Sequence, residues 1–263
     1  MIRPWLKFFR VVNLPTVPGD VFVGAAAFVA SVANCRRTVP YDVGAGLRPV
    51  AFAALASVFM YMFGLADNDI VGAGKDSDRP IPVGEISLGA ARIARGLCLF
   101  AVMIIGAAAN LPSVWWIVSA ALAFCCVVYN RTKLGLVMGF CRGLDVLSGV
   151  AALVATTEFR NDVPVGTMED AFVSMFFWVP AVVLAVLYIA SVTWYSKGEE
   201  LDPAKKRRVG VLVGSVIYLQ LLALLAAYCV TPRLLTRDLL IAGAVMLVLL
   251  RLLKRIFPKV SAS

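Results

Sequence analysis

Long apolar runs broken by short polar stretches make up most of this chain. Apolar windows fall at 15–33, 47–66, 93–109, 113–129, 138–157, 171–195, 210–230 and 236–253, each close to the ~17–25 residues that cross a bilayer as a helix. Backbone groups in lipid must be satisfied within their own segment, so the pattern predicts an all-α, polytopic transmembrane bundle of eight helices, with room for a ninth. One run ends abruptly. YMFGLA passes straight into Asp67, Asn68 and Asp69, and five of the chain's 16 acids (Asp67, Asp69, Asp76, Asp78 and Glu85) lie between positions 67 and 85.

Composition agrees: 61% of the residues are hydrophobic and 16% are charged. The 263 residues are expected to form a single membrane-embedded domain with the lipid bilayer as its main solvent. The N-terminal run is too long, and too poor in small-residue exits, for a cleaved signal, so it reads as the first permanent span. A net charge of +9 would suggest nucleic acid in a soluble protein; here no basic stripe is interleaved with aromatics, and no nucleic-acid partner is expected. With the N-terminus inside, about three of every four of the 25 Lys and Arg residues fall in cytoplasmic segments, which predicts both termini in the cytoplasm. Histidine is absent, which removes Ser-His and Cys-His catalysis and imidazole-bound zinc. The six cysteines show no C-x-x-C spacing and read as small buried hydrophobes.

The chain also suggests an internal repeat. Arg10-Val-Val-Asn13 and Arg142-Gly-Leu-Asp145 stand at the starts of the first and fifth spans, and the same offset of 132 carries Asp67 and Asn68 onto Glu199 and Glu200. This predicts two four-helix halves in parallel orientation around a central cavity, with an acidic cluster from each half at its cytoplasmic mouth.

The acids after the second span have a bland reading, a solvated loop, and a chemical one. Charge directly at the end of an apolar run is costly and tends to be functional. Asn68 and Asp76, eight residues apart, share a face if the helix continues past the membrane. Lys75 and Arg79 put cations beside these oxygens, a mixture that suits a phosphate bridged by Mg2+. The implied substrate has a diphosphate head and a tail that enters the bilayer. Asn13, Asp20, Arg142 and Asp145 either pair internally to fix helix packing or bind acceptor or diphosphate.

The run Asn68–Ser87, NDIVGAGKDSDRPIPVGEIS, resembles the first aspartate-rich motif of the UbiA superfamily of intramembrane prenyltransferases, N-x-x-x-D-x-x-x-D followed by R-P-[IL]-P-x-G-x-[IVL]-[ST]. Asn68, Asp76, Arg79, Pro80, Ile81, Pro82, Gly84, Ile86 and Ser87 match it, while Gly72 stands where the middle aspartate would be. Tyr129-Asn-Arg-Thr-Lys133 is similar to the family's Y-x-x-x-K, and GFCRGLDVLSG resembles its fifth-helix start, with Asp145 where Asn is common. The second acidic motif, D-x-x-x-D, loosens here to Glu199, Glu200 and Asp202.

The resemblance implies transfer of a prenyl group from a polyprenyl diphosphate to a small acceptor. Asn68, Asp69, Asp76, Tyr129 and Lys133 would be catalytic, and Lys75, Arg79, Lys133, Arg142, Asn13 and Asp145 would bind the diphosphate. Asn68, Asp69, Asp76, Glu199, Glu200 and Asp202 would hold Mg2+. Gly72 and the altered second motif keep open a non-catalytic relative that binds or moves a prenylated lipid. The D-G-x-x-A-R core of the CDP-alcohol phosphotransferases is missing, and the acids lie at one surface rather than the midplane expected of an ion-coupled transporter.

Overall fold

The structure, a computed structural model, describes residues 2–34, 43–74, 79–158, 168–198, 202–232 and 234–256. Among these the chain is helical, with no strand. The elements are α1 (Ile2–Phe8), a 3-10 segment (Val11–Thr16), α2 (Pro18–Asn34), α3 (Val43–Val71), α4 (Leu88–Ala108), α5 (Ser113–Thr132), α6 (Gly135–Glu158), α7 (Met168–Ser196), α8 (Pro203–Val230) and α9 (Leu234–Ile256). The eight predicted spans are α2 to α9. The ninth helix is α1, whose seven residues are far too few to cross a bilayer. Among the described residues, seven helical stretches are long and apolar enough to span, and the chain is a multi-pass membrane protein. In α9, Arg237, Asp238, Arg251, Lys254 and Arg255 crowd the two ends of the helix.

Several helices run past the apolar windows because polar signals, not hydropathy, set their ends. Ser87 caps α4, its hydroxyl accepting from Ala90 N at 3.2 Å. Asp202 caps α8 ahead of Pro203, accepting from Ala204 N and Lys205 N, so Lys205 to Arg208 are helical residues. Lys133 closes α5 in the left-handed conformation (φ 54), its N–H bonding to Tyr129 O at 2.7 Å.

The centre of the molecule is the crossing of α2 and α6, whose span windows are 89% and 67% buried. A Cβ on Gly24 would lie 1.8 Å from Val146 O, and one on Gly149 would lie 1.9 Å from Val21 O. Only glycine admits this approach. The two contacts are reciprocal, and the residues involved spell Asp20-Val-Phe-Val-Gly24 and Asp145-Val-Leu-Ser-Gly149.

The repeat therefore has a register of 125 positions, not 132. The same shift carries Val43–Val71 of α3 onto Met168–Ser196 of α7, both 29 residues long. The sequence comparison weighted charged residues, whereas the physical marker of the crossing is glycine. The four-helix halves stand, α2 to α5 and α6 to α9, with α9 packing back on the central α2. In this register Val192, Thr193 and Trp194, not Glu199 and Glu200, correspond to Asp67, Asn68 and Asp69.

Around this centre the outer helices turn apolar side chains outward, among them Ile93, Leu97 and Phe100 of α4, Leu184 of α7, and Leu222 of α8. In lipid that surface is solvated and needs no partner.

Candidate active site at the end of α3

Asp67, Asn68 and Asp69 occupy the last turns of α3, where the helix dipole is negative and disfavours further acid. Cations from four directions offset this. Asp67 is 1% exposed; it accepts from Arg95 Nη1 of α4 at 2.8 Å and Asn130 Nδ2 of α5 at 2.9 Å, with Arg131 Nη1 at 3.6 Å. Asn130 also donates to Gly64 O at 2.9 Å. The cluster ties the end of α3 to the start of α4 and the end of α5.

Asp69, 3% exposed, points the other way. Its Oδ1 accepts from Arg79 Nη1 at 2.6 Å, and Arg10 Nη2 stands 3.9 Å from the same oxygen. Asn68 lies between the two acids along the chain, and its Oδ1 accepts from Lys133 Nζ. The ammonium lies 5.4 Å from the ring centre of Tyr129, a cation–π arrangement.

Arg79 is delivered by a tight turn. Glu85 and Ile86 N–H both bond to Pro80 O, Gly84 N–H bonds to Ile81 O, and Gly84 has φ 79, the left-handed region that glycine enters at little cost. Ile86 and Pro80 face inward, and Ile86 packs with Phe8, Ala66 and Ala91 while Trp5, Phe9 and Ile81 cover them. The short α1 therefore holds this turn against the pole of α3. Arg10 follows it with φ 43, a conformation uncommon outside glycine, and this turns the chain from α1 into the 3-10 segment.

Of the residues picked from sequence, Asn68, Asp69, Arg79, Tyr129 and Lys133 come together here. Lys75, Asp76, Glu199 and Glu200 lie outside the described residues. Asp202 is within them, but its described contacts are those of a helix cap. Asn13 lies in the 3-10 segment, where its carbonyl accepts from Thr16 Oγ1 at 2.8 Å.

Arg142 and Asp145 belong to a separate buried network. Arg142 Nε is 2.7 Å from Asp20 Oδ2, and its Nη2 donates to Thr16 O at 3.1 Å. Gln220 Nε2 donates to Asp20 Oδ1 at 2.6 Å and Thr16 O at 2.8 Å. Asp145 accepts from Ser57 Oγ. Ser57 precedes Asn68 by about three helical turns, roughly 16 Å along α3, so this network sits well below the α3 pole. Of the two readings left open by the sequence, internal pairing is the one these contacts display for Asp20 and Arg142.

Sequence reasoning missed Arg10, Arg95, Asn130 and Arg131. A signal existed for two of them: Arg95 and Asn130 are polar residues at the margins of apolar runs, where an unpaired group is costly.

No family model and no curated protein matches this sequence. Solved structures do. The structure described as giving "structural and mechanistic insights into the biosynthesis of Digeranylgeranylglyceryl phosphate synthase in membranes" is similar over 99% of this chain and 91% of that one, at 16% identity and a TM-score of 0.51. A UbiA homolog from Archaeoglobus fulgidus bound to GPP and Mg2+ is similar over 97% of this chain and 87% of that one, at 13% identity and a TM-score of 0.51. The same homolog, described without ligands, gives 14% identity over the same shares and a TM-score of 0.52. The chain has the fold of the UbiA superfamily.

Proposed function

We propose that this protein is a Mg2+-dependent prenyltransferase, moving a prenyl group from a polyprenyl diphosphate to a small acceptor within the membrane. An aromatic or quinone precursor is the first acceptor class to try, with polyols and pigments next. The observation that carries this reading is the α3 pole, where Asn68 and Asp69 meet Lys133, Arg79 and Arg10 at the edge of a lipid-facing bundle. A neighbour in fold was solved with GPP and Mg2+.

The donor types suit the metal, although among the described residues no three acids gather into one site. Amide and carboxylate oxygens are the hard ligands Mg2+ takes, few from protein and the rest from phosphate and water. Asn68 and Asp69 are the described residues that would hold it; Asp76, Glu199 and Glu200 are the further candidates from sequence. When bound, the ion would supply Lewis-acid charge to the diphosphate oxygens.

The chain's own residues do the remaining work. Arg79, Arg10 and Lys133 neutralise the negative charge that builds on the departing diphosphate, the place where fixed cations lower the barrier most. Asp67, held by Arg95 and Asn130, keeps the end of α3 in place so that Asn68 and Asp69 meet those cations without rearrangement. Departure of the diphosphate leaves an allylic carbocation; an electron-rich carbon or hydroxyl of the acceptor forms the new bond and gives up a proton.

Purified protein given labelled geranyl diphosphate, Mg2+ and a panel of acceptors should release diphosphate, and Asp69→Asn should reduce that release by about a hundredfold or more. Gly72, standing where the resemblance expects an acid, favours one competing reading, a protein that binds prenyl diphosphates without turning them over. Tight binding of geranyl diphosphate with no release under any acceptor would overturn the enzyme reading in favour of that one.

A further inference from the structure

At the pole of the second half, a cavity of about 410 Å³ opens between the end of α7 and the start of α8, lined by Tyr195, Arg207, Arg208, Val211 and Leu212. It straddles the membrane boundary, because the apolar stretch of α7 ends at Ser196 and that of α8 begins at Arg207. Trp194, next to Tyr195 in the chain, is 73% exposed, as befits an aromatic at the headgroup level. Tyr188 of α7 ties the lining residue Leu212 to α7, its hydroxyl donating to Leu212 O at 2.9 Å. At the rim Lys205 lies 5.2 Å above the Tyr195 ring and donates to Lys197 O at 2.7 Å.

The arginines distinguish this place from the α3 pole. There Arg10, Arg79, Arg95 and Arg131 all lie within ion-pair distance of acids. Arg207 and Arg208 are exposed, and among the described residues neither enters an ion pair or hydrogen bond. Two guanidiniums with no acidic partner among the described residues, at the edge of an apolar pocket, match an amphiphile whose head is a phosphate and whose body is hydrocarbon. Val211, Leu212 and the Tyr195 ring exclude a bare hydrated anion from the pocket itself.

We infer that this cavity is a binding site for an anionic phospholipid, the phosphate held by Arg207 and Arg208 and the upper acyl chain lying against Val211 and Leu212. The size lies within the ~300–1,000 Å³ of ordinary ligand pockets, and clustered Lys and Arg at a membrane boundary recognise anionic headgroups. The inference does not rest on the prenyl-transfer reading, although the stretch that carries Glu199 and Glu200 joins the same two helices.

The test uses purified full-length protein in neutral detergent, titrated with phosphatidylglycerol or phosphatidylcholine and read by native mass spectrometry and by the thermal midpoint. Phosphatidylglycerol should bind at saturable stoichiometry and raise the midpoint, and phosphatidylcholine should do neither. The double variant Arg207→Gln/Arg208→Gln should weaken that binding by about tenfold or more, while Arg92→Gln/Arg255→Gln, which removes equal charge elsewhere, should not. Leu212→Trp, filling the pocket with both arginines intact, should weaken it too. Equal binding of the two lipids, unchanged binding in the arginine double variant, equal loss in the charge control, or displacement of the lipid by inorganic phosphate would each overturn the proposal.

Discussion

Asp67, Asn68 and Asp69 are consecutive, yet their surroundings assign them different work. Asp67 accepts hydrogen bonds from Arg95 of α4 and Asn130 of α5, with Arg131 as a second cation nearby. Its loss leaves one donor of the buried Asn130 amide unmet, while Arg95 and Arg131, a third or more exposed, stay hydrated, so the cost is that of one unmade buried hydrogen bond, ~1–3 kcal/mol. Asp67→Ala is therefore expected to lower unfolding stability by about 2 kcal/mol, read as a fall in the thermal midpoint. Asp69→Asn keeps a polar group facing Arg79 and should leave that midpoint within a few degrees while removing turnover. If both variants lost stability equally and Asp69→Asn kept full activity, the division would fail. Asn68, Asp69, Arg79 and Lys133 were legible in the sequence because residue type and spacing carry them. The partners of Arg10, Arg95 and Asn130 were not, because what recruits them is contact across helices, and a linear pattern records no partner.

At the scale of elements, hydropathy located every span and misplaced most ends. The apolar window of α8 begins at 210, whereas Asp202 and Pro203 start the helix seven residues earlier; a cap satisfies backbone donors whatever the hydropathy of the turn that follows. The repeat was legible in kind but not in register, for Gly24 and Gly149 record a backbone approach that no charged residue reports. Gly24→Ala and Gly149→Ala should each force α2 and α6 apart, with the Cβ driven into a backbone carbonyl that cannot swing aside. The expected outcome is loss of folded protein after detergent extraction, measured by size-exclusion profile. Gly89→Ala, where a Cβ meets nothing within 4 Å, should behave as the parent does.

For the whole molecule, the buried α2–α6 crossing, the lipid-facing outer helices and the basic helix ends at the α3 pole describe one bundle with a chemically distinct end. The predicted orientation puts that end in the cytoplasm. Single cysteines placed at Glu85 and at Asn110, on opposite ends of α4, in a background lacking the native thiols, should label from opposite sides of sealed vesicles, the first from the cytoplasmic side; the reverse pattern would invert the topology. The central claim is that the α3 pole holds a prenyl diphosphate together with Mg2+. Calorimetric titration of the purified protein with geranyl thiolodiphosphate, which resists cleavage, tests it most directly. Saturable binding that needs Mg2+, is abolished by Asp69→Asn and is weakened by Lys133→Ala is the predicted result; binding that is indifferent to Mg2+ and to both substitutions would contradict it.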